Sequence, residues 1–449
     1  MKQLNNKEIS NSLNNMKFFV HTFGCQMNEN DSERITGILK DAGAQLAASP
    51  QDSDLVIINT CAVREKSEEK LYSYLGRLKR LKKEKNIAIG VAGCVAQLYK
   101  DDLIKEKPYI NFVVGPDNYW RIPHFLKYEF NGKNIAVSWN RQWKNYSTLS
   151  FERESTLSAY VTIMKGCNNF CSYCIVPYTR GREKYRPMRN IFQEVKDLAS
   201  KGFKEIQLLG QNVNSYKDPD SGKDFSFLLN LVSQVDGIKW IRFISSHPNN
   251  FTEKIIDTMA KTDKICSQLH LPVQSGSSSI LKSMNRKYSR EDYLELIEII
   301  KKKIPHISLS TDIIVGYPGE TEDDFNQTMS LLKAVRFHNI FSFRYSPRPL
   351  TSASKLKDTV PFEVKKNRLM KLQNYQKKIQ CEINNSMKGK TMKVLCTGRS
   401  KRNNFYSGRN EAYQVVNFQS HRDVYGQWVE VLITSFGPYS LFGVTRDEL

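Results

Sequence analysis

From residue 16 to about residue 128, short apolar runs alternate with amphipathic stretches, the pattern of a parallel α/β layer. Runs at 18–20, 55–58, 87–92 and 112–114 predict strands. Helices are expected at 32–42, closed by Gly43, and at 64–83, whose outer face is heavily charged. Cys25, Cys61 and Cys94 each come a few residues after one of these strands, so a parallel sheet brings all three to its carboxyl edge, where open α/β sheets bind ligands. On that placement alone, buried core thiol and metal ligand are equal readings. Residues 131–155, with Trp139 and Trp143, lack periodicity and read as a linker.

A second βα series begins at 159, with strands expected at 159–164, 206–209, 241–245, 268–271, 308–315 and 340–345. Six strands with helical spacers predict a partial (βα)6 barrel, short of the eight repeats that close one. Each strand runs into polar residues, so Gly166 and Cys167, Gln211 and Asn212, Ser246 and His247, 274–276, 317–320 and 346–348 are expected on one rim, the catalytic face of such barrels. A helix is expected at 363–383. Short β-like runs at 392–396, 414–416, 428–433 and 441–444 then predict a small all-β barrel. Arg399, Lys401, Arg402 and Arg409 stand near Phe405 and Tyr406, a pairing suited to phosphate contact and base stacking.

The chain thus divides into a flexible tail (1–15), an N-terminal α/β domain (16–130), a linker (131–155), a barrel core (156–383) and a β domain (384–449). With 67 Lys and Arg against 46 Asp and Glu, the net charge of +21 favours a polyanionic partner, nucleic acid before an anionic membrane. The polar N-terminus has no secretory pattern, and the longest apolar stretch, near 87–96, is too short to span a bilayer. A cytoplasmic monomer without membrane attachment is expected. Nine cysteines in such a chain argue for metal or redox use over a disulfide framework.

The densest chemistry is GCNNFCSYC at 166–174, three thiols directly after the first barrel strand. Soft thiolates bind iron-sulfur clusters or zinc. A four-iron cluster held only by Cys167, Cys171 and Cys174 leaves one iron open to a small molecule, the feature that separates catalytic from structural metal sites. Zinc, with His247 or His270 as a distant fourth ligand, and buried thiols acting only as small hydrophobes are the alternatives. Cys266, Cys381 and Cys396 show no partner spacing and read as packing residues.

The run 167–187, CNNFCSYCIVPYTRGREKYRP, resembles the radical S-adenosylmethionine motif of the methylthiotransferases. Flanking segments agree: TFGCQMN (22–28), NTCAVREK (59–66), GCVAQ (93–97), LLGQNVN (208–214), SSHP (245–248), HLPVQSGS (270–277) and STDIIVGYPGET (310–321). The resemblance implies a methylthiotransferase domain, a radical barrel and an RNA-binding barrel of the TRAM type. It implies two [4Fe-4S] clusters, one on Cys167, Cys171 and Cys174 and one on Cys25, Cys61 and Cys94. S-adenosylmethionine would act both as radical source and as methyl donor, with electrons from a low-potential donor. The expected substrate is the tRNA anticodon stem-loop, methylthiolated at C2 of N6-isopentenyladenosine; threonylcarbamoyladenosine or a ribosomal protein is the nearer rival, and a non-catalytic RNA-binding metal scaffold the farther one.

Tyr173, Gln211, Gln274 and the loop from Gly316 to Glu320 lie where a barrel of this type contacts the adenosyl group. Arg180, Arg182, Arg186 and Arg189 either neutralise phosphate or the cofactor carboxylate or form a solvated basic loop, and the same holds for Arg344 and Arg348. One departure from the family pattern is Leu350, where a glycine often stands; a Cβ restricts φ there, so the loop is expected to differ locally.

Overall fold

The computed structural model describes residues 13–128, 133–139, 151–153, 155–400 and 405–446. Residues 1–12 of the expected tail, Trp143, and the basic residues Lys401 and Arg402 lie outside these. The expected fold class is observed: a parallel α/β layer, a partial parallel barrel and a small closed β-barrel.

The first layer is a six-stranded parallel sheet in the order β2-β1-β3-β4-β5-β6. Its strands are β1 (Lys17–Phe23), β2 (Gln45–Leu46), β3 (Leu55–Thr60), β4 (Ala88–Gly93), β5 (Phe112–Val114) and β6 (Asn134–Ala136). Every residue of β3 and β4 is buried, as a central strand covered on both faces by helices requires. Three helices matter below: α1 (Gln26–Asp41), α2 (Glu65–Lys85) and α3 (Cys94–Tyr99). Helix α1 starts six residues before the expected position. Asn28, Asn30, Asp31, Ser32, Glu33 and Arg34 are all buried in it, so its polar face is covered by protein and the apolar periodicity of a surface helix is absent. Strand β6 comes from the stretch expected to be a connection, and Leu13 is already buried in the core of this layer.

The barrel is two three-stranded parallel sheets. One holds β7 (Ser158–Thr162), β10 (Glu205–Leu209) and β11 (Trp240–Phe243); the other holds β12 (Gln268–His270), β13 (Ser308–Val315) and β14 (Asn339–Arg344). A short pair, β8 (Met164–Lys165) with β9 (Lys184–Tyr185), brackets the cysteine loop and its exit helix α4 (Val176–Thr179). Alternate residues on each strand face outward to helices and inward to the lumen. Outward residues such as Ile206, Ile241, Leu269, Ile313 and Ile340 join one apolar core. Between β14 and β7 the barrel is open. The first layer closes that gap: Thr162 of β7 donates to Asn30 Oδ1 at 2.7 Å and Tyr160 donates to Glu29 Oε2 at 2.9 Å, both on α1. On the other side Arg348, after β14, pairs with Glu68 of α2 at 3.4 Å.

Two further helices are α5 (Glu322–Val335) and α6 (Phe362–Asn385), the latter packed outside β14. Then β15 (Thr391–Arg399), β16 (Tyr406–Asn410), β17 (Val415–Gln419), β18 (Trp428–Phe436) and β19 (Ser440–Thr445) close in the order β15-β16-β17-β19-β18. This barrel docks on the amino ends of β10 and β11. Arg242 pairs with Glu205 at 2.9 Å and donates to the carbonyls of Glu411 and Asn410, while Trp240 meets Trp428 edge-on at 4.3 Å. Among the described residues no helix is long and apolar enough to cross a membrane.

Candidate active site and metal centres

Strand register brings the first three thiols together. Phe23 pairs with Thr60 and Thr60 with Gly93, so β1, β3 and β4 end level. Cys61 and Cys94 follow those paired residues directly, and Cys25 comes two residues after Phe23 as the cap of α1. A buried amide network fixes the loops: Asn59 donates to the Asn28 carbonyl at 2.8 Å and accepts from Asn28 Nδ2 at 3.2 Å. Gly93 exits β4 at φ +91, and a Cβ there would stand 2.3 Å from Asn59 Oδ1, so only glycine turns the chain into Cys94. A hydrogen bond from Cys61 lowers the pKa of the Cys25 thiol to about 6, and the same bond together with burial raises that of Cys61.

The second triad sits on the loop after β7 and β8. Gly166 takes φ +81 where a Cβ would lie 2.1 Å from the Arg182 carbonyl. Burial pushes Cys167 up to about 11 and Cys174 up to about 12, so these thiols lose their protons only when a metal or a cation compensates. Asn169 Nδ2 lies 3.5 Å from Cys167 Sγ, and Arg286 Nη1 lies 3.5 Å from Cys171 Sγ.

Arg180 joins the triads. It lies six residues after Cys174, at the end of α4, yet its Nε donates to Cys94 Sγ at 3.1 Å and its Nη2 pairs with Asp31 at 2.6 Å. Ile175 packs in the same core cluster as Cys94, Val95 and Ala96. Each triad therefore has a fully buried arginine against one of its sulfurs. A buried cation beside three desolvated thiols fits an anionic thiolate-ligated cluster, and Arg180 Nη1 has no hydrogen-bond partner among the described residues. The same residues fit a single ion less well: among the described residues no group of three ligating side chains is set to hold one metal ion. His270 is engaged elsewhere and His247 through one ring nitrogen, its Nε2 having no hydrogen-bond partner among the described residues. His247 Nδ1 accepts from the Asn249 N–H at 3.3 Å, with burial and then Arg286 lowering its pKa to about 2; His270 bonds Ser310 at 3.0 Å and faces Asp312 at 3.5 Å.

The expected adenosyl contacts lie on the rim, several of them held by protein. Gln211 Oε1 accepts from the Gly166 N–H at 2.5 Å, bracing the cysteine loop. Gln274 takes φ +76 and bridges to β13 through Asp312 and Ile314. The Gly316 N–H donates to Glu320 Oε2 at 2.6 Å, and Arg368 of α6 pairs with the same carboxylate at 2.8 Å. Burial holds the Tyr173 phenol well above its ordinary range, and Arg286 Nη1 stands 3.5 Å from its oxygen.

Several readings of basic residues change. Arg180 and Arg186 are buried, not part of a solvated loop; Arg186 pairs with Glu194. Arg182 and Arg189 are exposed, Arg182 over the Phe170 ring and Arg189 beside Asp220. Arg344 lies over Phe362 and points away from the lumen, and Arg348 ties the barrel to α2. Tyr406 is a core residue stacked on Phe418 and is closed to a base, with Arg399 over its ring at 4.1 Å. Leu350 takes a left-handed turn at φ +67 despite its Cβ. Arg286 escaped sequence reasoning because an arginine among Asn285, Lys287 and Tyr288 carries no signal of burial.

Comparison with known proteins follows the same division. Residues 17–115 match the uncharacterized protein family UPF0004, residues 161–332 the radical SAM superfamily and residues 385–445 the TRAM domain. The chain is 44% identical over 435 residues to the tRNA-2-methylthio-N(6)-dimethylallyladenosine synthase of Clostridium novyi, covering 96% of both chains. It is 46% identical over 433 residues to the protein of that name from Clostridium tetani, covering 95% of both. Among solved structures, the radical S-adenosylmethionine methyltransferase TsrM of Kitasatospora setae superimposes with TM-score 0.55 at 13% identity, covering 76% of this chain and 75% of TsrM. The cobalamin-dependent radical enzyme OxsB gives 0.54 at 11% identity, covering 81% of this chain and 56% of OxsB. Likeness at that identity concerns the fold alone.

Proposed function

The chain belongs to the radical S-adenosylmethionine methylthiotransferases, and from that premise we propose that it is a tRNA-modifying enzyme that methylthiolates C2 of N6-isopentenyladenosine beside the anticodon. When bound, two [4Fe-4S] clusters and S-adenosylmethionine supply the electron, radical and methylthio chemistry that acid–base side chains cannot perform on an unactivated adenine carbon. The protein's part is position and polarity. Cys167, Cys171 and Cys174 hold one cluster, with Arg286 as counter-charge; Cys25, Cys61 and Cys94 hold the other, with Arg180. Tyr173, Gln211, Gln274 and Gly316 form the rim that receives the adenosyl group. With three thiols apiece, the two triads would leave a four-iron cluster one position open to a small molecule.

One observation carries the reading: Arg180, on the exit of the barrel cysteine loop, touches Cys94 of the other triad. The two groups of thiols therefore share a boundary at the open side of the barrel. A net charge of +21 and the closed C-terminal barrel support a polyanionic substrate, which we take to be the anticodon stem-loop. We read the working unit as a cytoplasmic monomer served by a low-potential electron donor, with residues 16–130, 156–383 and 384–449 as its three domains.

The test is iron and acid-labile sulfide per chain after anaerobic purification, with each cysteine triad replaced by alanine in turn. About eight irons in the wild type, halved by either replacement, is the expected result. Loss of all iron on replacing one triad would refute two independent centres. Nucleoside mass spectrometry on tRNA from cells lacking the gene should show N6-isopentenyladenosine without its methylthio derivative; persistence of the derivative would refute the assignment of substrate.

A further inference from the structure

Along β14, outward and inward residues alternate. Ile340 packs into the barrel core, Ser342 accepts from Gln373 of α6 at 3.2 Å, and Arg344 covers Phe362 at the start of α6. Phe341 and Phe343 therefore face the lumen. They remain 43% and 38% exposed, which is unusual for two phenylalanines on one strand of a barrel interior. Around them the lumen is polar: His270 meets Phe341 edge-on at 5.7 Å, and Asp312 stands beside His270. Arg64, three residues after Cys61, approaches the Phe343 ring at 6.0 Å from across the gap. The two rings thus form an apolar wall in a polar cavity, open to solvent, facing the loop that carries Cys61.

We propose that Phe341 and Phe343 are specificity-determining residues: the apolar N6 prenyl group of the adenine packs on these two rings, with Arg64 taking a loop phosphate beside them. This rests on the functional reading above. The chemistry selects that occupant for three reasons. An unstacked loop base is held in protein by aromatic faces and arginine planes, and this wall supplies both. A five-carbon branched chain gains from apolar contact with both rings, a gain the polar threonylcarbamoyl group does not offer. The N6 and C2 positions are separate points of the purine ring, so a grip on one leaves the other free to react.

The experiment uses reconstituted full-length enzyme and two tRNAs of identical sequence, one prenylated at N6 and one bearing plain adenosine. The variants are F341A/F343A and Phe343→Leu, each assayed for methylthio nucleoside, for 5′-deoxyadenosine formed without RNA, and for iron content. The double variant is expected to lose about 10- to 100-fold in kcat/KM on prenylated tRNA, the range that loss of a few apolar contacts in a pocket commands. Plain tRNA, iron content and RNA-free cleavage of S-adenosylmethionine should change little, and Phe343→Leu should retain most of the preference. If the two tRNAs fall by the same factor in the double variant, or neither falls, this inference is overturned while the enzyme's function stands. A wild-type enzyme that modifies neither tRNA overturns the functional reading and the inference with it.

Discussion

Leu350 holds φ at +67 with its side chain 59% exposed, so the left-handed turn is imposed by its surroundings and repaid by no contact of the leucine itself. Leu350→Gly should raise stability by about 1 kcal/mol, measured as the shift in denaturant midpoint; an unchanged or lower midpoint would show that the strain is not there. Asp324 is a second residue whose energetics can be read. Burial by itself raises its pKa, but hydrogen bonds from Ser277, Thr321 and Ser279 outweigh burial and hold it at about 2. A depressed carboxylate stabilises above its unfolded value of 3.8 and ceases to as pH falls through its folded value. Asp324→Asn should therefore cost about 1–3 kcal/mol near neutrality, and the gap to wild type should close between pH 4 and 2. Cys167, Cys171 and Cys174 were legible as ligand candidates from their spacing, whereas Cys25, Cys61 and Cys94, far apart in the chain, were singled out only by their place after strands and by the family resemblance. Arg180 and Arg286 were legible only as positive charge, since burial depends on residues far away in the chain.

Elements place those residues, and two glycines show how. Gly93 turns the chain from β4 into α3 at Cys94, and Gly166 turns it from β8 into the loop of Cys167, each at a positive φ that no side chain fits. Gly93→Ala should displace Cys94 and strip the N-terminal centre, leaving about half the iron; Gly166→Ala should strip the barrel centre. Electron paramagnetic resonance of the reduced variants distinguishes the halves, and equal spectra from the two would contradict the assignment. Strand periodicity located all four sheet strands and six barrel strands that were expected. The start of α1 was not legible, because its buried polar residues face β7 of another layer and so mimic a loop. Strand β16 was missed for a related reason: Gly408, whose Cβ would meet the Leu395 carbonyl at 2.3 Å, and Arg409 break the apolar alternation that marks a strand.

At the scale of the molecule, one buried cation stands among the contacts that dock the C-terminal barrel, beside the Trp240–Trp428 pair and hydrogen bonds such as Lys204 to the Gly426 carbonyl. Arg242 satisfies Glu205 and two carbonyls of the β16–β17 turn while lying over Trp240 at 4.8 Å. Arg242→Met leaves Glu205 buried without its partner, at a cost of about 3–5 kcal/mol, and should free the barrel. Limited proteolysis checks this: the variant should release a C-terminal fragment quickly where wild type resists, and equal cleavage would show that other contacts hold the domain. Local order along the chain determined most of the strands and helices, the Cys167, Cys171 and Cys174 triad and the basic surplus, because periodicity and ligand spacing are properties of neighbouring residues. The tertiary structure alone decided that α1 and α2 close the gap between β7 and β14, that Arg180 reaches the other triad, and that Phe341 and Phe343 look into the lumen. Those are contacts between residues up to hundreds of positions apart, and packing of whole layers, which no local pattern encodes, is what brings them together.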